Sequence, residues 1–267
     1  KQFALENLGE SEDIAKSSVL EIQKFLKDFP EINAHNDERF ILFFLRSCKF
    51  DVEQTKNRIR NFYKQRAERD EWFVQRDPFL PEISELLSIG VFLPLREKDA
   101  ENRQIVIIRT AAHSPSNHKQ NDVFKVGRMI LDYLVSIDES ISVYGIRAIF
   151  DMQGIAFGHA LQMTPMLIKR AVNSWDSYPL RIQKLEFINA NLGINVVLDI
   201  FRSFMSAKMK ERVSVTRGKP NYKASDNLPK ELGGNVDSYS ILASHWKQLL
   251  EKNYQWFQED EKYKSLI

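Results

Sequence analysis

Apolar residues recur at helical spacing through Ile14, Val19, Ile22, Leu26 and Phe29, which predicts a helix over residues 11–29 that Pro30 ends. A second helix is predicted from Asn36 or Asp37 and carries Phe40, Phe43, Phe44 and Leu45. A third places Val52, Thr55, Ile59, Phe62 and Tyr63 on one face, so residues 1–75 predict a small all-helical unit. The stretch DPFLPEI, with Pro78 and Pro81, marks its boundary. Beyond it the period changes. VFLPL and QIVIIRTA are strand-like across the polar turn REKDAENR, and a helix runs from about Asp122 to Asp138. YGIRAIFDM is β-branched and apolar, MTPMLIKRAVNSW is helical with Pro165 near its start, and RIQKLEFIN returns to strand. This alternation predicts an α/β fold, a mostly parallel sheet covered by helices and preceded by the helical unit.

The segment that follows is unusual in its polarity. After the strand Ile182 to Asn189, a helix from Asn191 to Met205 carries Ile194, Val197, Leu198, Ile200, Phe201, Phe204 and Met205, an apolar face wider than one stripe requires. Lys208, Lys210 and Arg212 come directly after it. An apolar lid with a cationic foot suits opening against an anionic membrane surface, whereas ordinary core followed by a solvated basic face is the plainer reading of the same residues. A short strand, VSVT, and a tail helix from about Ser240 complete the pattern.

Composition narrows the function classes. The 267 residues include 43% hydrophobic and 11% aromatic positions, enough for a sizeable core. The 38 basic and 36 acidic residues leave a formal charge of +2, so no overall field draws nucleic acid and docking falls to local patches. Cys48 is the single cysteine, and with five histidines it offers no metal-ligand set, which reads as a cytoplasmic protein. No stretch approaches a membrane span of about 18 apolar residues, and the opening KQFALENLGESED lacks a secretory apolar run, so contact with membranes is expected to be peripheral. Nucleophile-elbow, phosphate-loop, dinucleotide-binding and HExxH motifs are missing. Asp151 and His159 stand at a strand end where an acid/base pair is conceivable, but a capping Asp151 and a satisfied His159 are the expectation, and no enzyme activity is expected.

Five ordered motifs then carry a resemblance: FLRSCKFDVEQTKNRIRNFYKQRAE, GIRAIFDMQGIAFGHALQMTP, SYPLRIQKLEFIN, KMKERV and LPKELGG. Together they resemble the CRAL-TRIO lipid-binding family, most similarly its tocopherol-transfer and cellular-retinaldehyde-binding branch, from about Glu38 through Gly234. The resemblance implies a helical unit over 1–75, a lipid-binding domain over 80–237 and a helical tail over 238–267. It also implies a sheet floor under a hydrophobic cavity closed by a mobile gate helix, with Ile108, Phe124, Gly127, Leu131, Ile146, Phe150, Ile182 and Leu185 lining the cavity. Ile194, Val197, Leu198, Phe201 and Phe204 would close the gate over the ligand. Phosphatidylinositol phosphates would be bound by Arg181, Lys208 and Arg212, with Lys49 replacing an arginine that the family pattern places at Cys48.

Other departures bear on the ligand and the gate. Small hydroxyl residues of the tocopherol pattern are Gly127 and Leu131 here, which removes a polar anchor for a chromanol-like head. Two gate prolines are replaced within Asn189-Ala190-Asn191 and Arg202-Ser203-Phe204, which frees two N–H groups, loosens the φ constraint at both hinges and is expected to alter gate mobility in either direction. The resulting expectation is a monomeric carrier without cofactor that moves a tocopherol-, retinoid- or carotenoid-like lipid between membranes. Burying 400–500 Å² of lipid at about 25 cal/mol per Å² gives roughly 10 kcal/mol before ordering costs, so release must couple to gate opening at a membrane. The alternatives are a phospholipid-exchange protein and a phosphoinositide-sensing adaptor whose tail, with Trp246 and Trp256, binds a protein partner.

Overall fold

Side-chain oxygens fix where the first helices begin. The computed structural model describes residues 2–190, 195–218, 220–222 and 227–266. After α1 (Gln2–Leu8), Ser11 accepts a hydrogen bond from the Ile14 N–H to start α2 (Glu12–Asp28). Asp37 does the same for α3 (Glu38–Ser47) through Phe40, and Asp51 for α4 (Val52–Glu68) through Gln54. Ile22, Phe25, Ile41, Phe44, Ile59, Phe62 and Tyr63 fill the space between these helices, followed by the single-turn α5 (Asp70–Phe73). Pro81 does not simply divide two units. It takes the first-turn position of a helix, α6 (Pro81–Ile89), where its missing N–H costs nothing, and Gly90 ends that helix with a left-handed backbone (φ 73°).

The sheet runs β1 (Phe92–Lys98), β2 (Gln104–Arg109), β3 (Ile146–Asp151), β4 (Ile182–Ala190) and β5 (Val213–Arg217) in that spatial order. The first pair is antiparallel and the other three are parallel. Between β2 and β3 lie α7 (Gln120–Ile137) and α8 (Ser140–Tyr144). Between β3 and β4 lie α9 (Phe157–Gln162) and α10 (Pro165–Ser177), and between β4 and β5 come α11 (Asn195–Phe204) and α12 (Ala207–Lys210). Alternation splits the strands between two cores. Val106, Ala148 and Phe187 face one side, while Ile105, Ile107, Ile149 and Ile188 pack on the other against Leu242 and Ala243 of α13 (Tyr239–Lys252). The last helix is α14 (Tyr254–Asp260).

A buried ionic cluster joins distant parts of the chain. Arg66 of α4 reaches Asp132 of α7 at 3.2 Å and Asp260 of α14 at 2.6 Å. Arg76 reaches the same two carboxylates at 3.0 and 2.7 Å, and the Tyr178 hydroxyl donates to the second Asp132 oxygen. Burial alone would push the Asp260 carboxyl up, but the Arg66 and Arg76 guanidiniums outweigh it and hold it at about 2.

Candidate functional site

A cavity of about 170 Å³ opens between the sheet and the helices α7, α10 and α11. Alternation along β2 and β3 brings Ile108, Ile146 and Phe150 to it. On β4, Ile182 and Leu185 are three positions apart, and a period of two would send them to opposite faces. A bulge resolves this: Ile146 pairs with Ile182, but Arg147 pairs with Lys184, and the extra residue returns Leu185 to the cavity side. Phe124, Gly127 and Leu131 approach from α7, and Val197, Leu198 and Phe201 from α11. Ile194 and Asn191 lie outside the described residues. Phe204 departs from expectation: as the last residue of α11, one turn past Phe201, it is half-buried against the core and is not among the cavity-lining residues.

Aromatic rings form a continuous wall. Phe150 stacks on Phe187 with ring centres 4.8 Å apart, Trp175 of α10 meets Phe150 at 5.8 Å, and Phe201 lies parallel to Trp175 at 5.8 Å. Helix α11 is thus seated on the floor through one ring of α10. Gly127 has a steric reason on the same helix face: a β-carbon there would stand 3.2 Å from the Phe92 ring, so the position that would carry a hydroxyl in the tocopherol pattern is given to ring packing instead.

Sequence reasoning overlooked Trp175 and Tyr178, which line the cavity, and above all Arg128. A signal for Arg128 was present, since it stands four residues after Phe124 on the stripe of α7 that also holds Gly127 and Leu131. Asp151 and His159 do not form an acid/base pair. One Asp151 oxygen caps the following turn through the Gln153 N–H at 3.0 Å and takes the Asn189 amide at 2.8 Å. His159 Nδ1 accepts from the Ala156 N–H at 3.1 Å, so Nε2 carries the proton and donates to the His113 carbonyl at 3.0 Å. Both ring nitrogens are occupied.

His113 stands beside that ring, with centres 4.9 Å apart, and is only 3% exposed. Burial, then the neighbouring His159 and His118, push it from 6.5 down to about 4. The unfolded chain therefore binds more protons between those values, and this contribution to stability is complete above pH 6.5 and declines as pH falls toward about 4. Melting temperatures at about pH 7 and about pH 5 should differ less in His113→Asn than in the parent. An equal drop in both proteins would refute the assignment; His35 and His245, also held down by burial, contribute further acid sensitivity.

The predicted basic residues separate into two groups. Arg181 and Arg212 are half-buried just before β4 and β5, where Arg181 donates to the Val143 carbonyl and Arg212 to the Ile182 carbonyl at 2.5 Å. Burial, then the charge of Arg212, push Arg181 down to about 10, and its buried Nε has no partner. Neither arginine has a carboxylate partner among the described residues. Lys208, in α12, and Lys49, with left-handed backbone in the turn after α3, are exposed. Cys48 beside Lys49 is buried. Exposed Phe157 and Leu161, one turn apart on α9, and Met166 on α10 place apolar side chains outside the wall formed by His159, Ala160 and Met163. Among the described residues no helix is long and apolar enough to cross a membrane, and no group of three or more His, Cys, Asp or Glu side chains is placed to hold a metal ion.

Comparison with known proteins agrees with this geometry. A family model described as a CRAL/TRIO domain matches residues 90–234, and one described as a Pinta-like UBA domain matches residues 11–83. Clavesin-1 of Xenopus laevis is 24% identical over 240 residues, covering 88% of this chain and 72% of that protein. Clavesin-2 of Homo sapiens is 24% identical over 253 residues, covering 92% and 77%. The solved structure titled "Crystal structure of Sfh5" superposes with a TM-score of 0.60 at 10% identity, covering 92% of this chain and 98% of that one, a likeness of fold alone.

Proposed function

The chain belongs to the CRAL/TRIO domain family, and from that premise we propose that it holds a small hydrophobic lipid in the cavity under α11 and carries it between membranes. The observation that carries this reading is the aromatic and aliphatic lining closed on one side by a single helix. A tocopherol-, retinoid- or carotenoid-like guest suits such a lining, and the residues named above from β2, β3, β4, α7 and α11 are its contacts. The division into 1–75, 80–237 and 238–267 belongs to the same reading.

Docking to anionic lipid is proposed at Arg181, Lys208 and Arg212, with Lys49 as a further contact. Two half-buried guanidiniums without carboxylates favour an anion, because charge-assisted contacts to phosphate are the stronger class of hydrogen bond. Paired Lys208→Ala and Arg212→Ala should weaken docking to anionic vesicles by about 2 kcal/mol, roughly thirtyfold, and slow transfer while leaving ligand capacity intact. Unchanged transfer would sink the basic-foot assignment.

No covalent chemistry is proposed, since His159 and Asp151 serve the backbone. The adaptor reading loses its effector: Trp246 is buried and donates to the Pro94 carbonyl at 2.8 Å, and Trp256 packs on Tyr133 and Phe257. Solvent extraction of the purified protein followed by mass spectrometry tests the carrier directly. A stoichiometric small lipid supports it and a phospholipid favours the exchange protein. A protein that is empty and takes up no offered lipid overturns it.

A further inference from the structure

Most polar side chains in the cavity wall are answered by the protein itself. Arg109 donates to the Ile89 carbonyl at 2.7 Å and lies over the Tyr239 ring, and Thr110 donates to the Asp151 carbonyl at 2.7 Å. Arg128 is different. It is 7% exposed and lines the cavity from α7, yet among the described residues its guanidinium makes no hydrogen bond and no ion pair. Its contact is the face of the Tyr178 ring, 5.1 Å away. Asp132, one turn along, attracts its charge but makes no bond to it, because one oxygen takes Arg66 and Arg76 and the other takes the Tyr178 hydroxyl. A further buried cation, Arg69, stands close enough for the two charges to oppose each other.

Arginine does not give up its proton inside proteins, and an unpaired buried charge is strongly destabilising. Burial pushes Arg128 downward, and the opposing pull of Tyr178 and Asp132 does not offset it. A chain built only to fill this wall would place an aliphatic residue at the position, as it does at Leu131. The space facing Arg128 is the ligand cavity, so the compensating group is one that the ligand brings.

We propose that the lipid carried here is a single-chain amphiphile with a carboxylate head, whose oxygens accept the N–H groups of Arg128 while the chain lies along Phe150, Trp175 and Phe201. This rests on the carrier reading and narrows its cargo. A carboxylate matches the planar fork of one guanidinium and brings the single negative charge needed. A glycerophospholipid head would bring further polar groups, and Arg109 and Thr110 are already occupied.

The test is to titrate the full chain with cis-parinaric acid and with its methyl ester, two fluorescent probes that share a chain and differ in head charge. The parent protein should bind the acid about tenfold or more tighter than the ester. Arg128→Met should bring the acid to the affinity of the ester while ester binding persists. Equal binding of acid and ester by the parent protein overturns the carboxylate anchor but leaves the carrier standing, and it does so even where the variant fails to fold. A preference for the acid that survives in folded Arg128→Met also overturns it. Failure of both probes to bind overturns the anchor and the carrier together.

Discussion

Phe201→Asp abolishes retention of apolar ligand. The side chain is 8% exposed, faces the cavity and lies parallel to Trp175, so a carboxylate there is buried against an aromatic ring. Its desolvation costs several kcal/mol whether the cavity is filled or empty, and the helix relieves that cost by lifting away from Trp175. Lifting removes the cover that keeps lipid from water. Loss of about 3 kcal/mol of closure corresponds to more than a hundredfold weaker binding, measured by displacement of a fluorescent apolar probe. Sedimentation with phosphoinositide vesicles should persist, because Arg181 and Arg212 stand just before β4 and β5 and are held by the Val143 and Ile182 carbonyls. Undiminished probe binding would show that α11 does not close the site.

Arg76→Ala lowers stability by about 3–5 kcal/mol, the scale for breaking a buried ion pair from one side. Asp132 and Asp260 would each keep one partner in Arg66, but the guanidinium bridging them from the opposite side, and its bond to the Phe257 carbonyl at 3.2 Å, would be lost. For a chain of this size the melting temperature should fall by about 10 °C. Lys64→Ala, which breaks a pair on an exposed helix face at 3.6 Å, should change it by less than about 1 °C and serves as the comparison. Similar shifts in the two variants would mean that the cluster adds no more than a surface pair. Acid reinforces the effect: Asp260 has a folded value of about 2 against 3.8, so its share of stability is complete above about pH 4 and disappears as pH falls through 2.

The regular part of this fold is readable from the chain because it rests on local periodicity. Ser11, Asp37 and Asp51 announce their helices, and the apolar strands β2, β3 and β4 alternate with helical stripes as a parallel sheet requires. Pro81 was ambiguous, since the same residue that marks a boundary also begins a helix. The bulge that returns Leu185 to the cavity side lies in the pairing between strands, which one strand's sequence does not encode. Trp246 and Trp256 look like binding residues only until α13 and α14 are placed against β1 and α7. Arg128 was hidden for a related reason. An arginine on a helix reads as solvated unless the whole turn around it is known to be inside.

The buried cluster also sets a timetable for synthesis. Arg66 and Asp260 are 194 positions apart. At 5–20 residues per second, the ribosome delivers the second carboxylate about 10–40 s after the first guanidinium. During that interval Asp132 is the one carboxylate of the cluster that can answer Arg66 and Arg76. Closure of the cluster waits until residue 260 has left the ribosome, and the arrival of α14 then supplies Asp260 to Arg66 and Arg76.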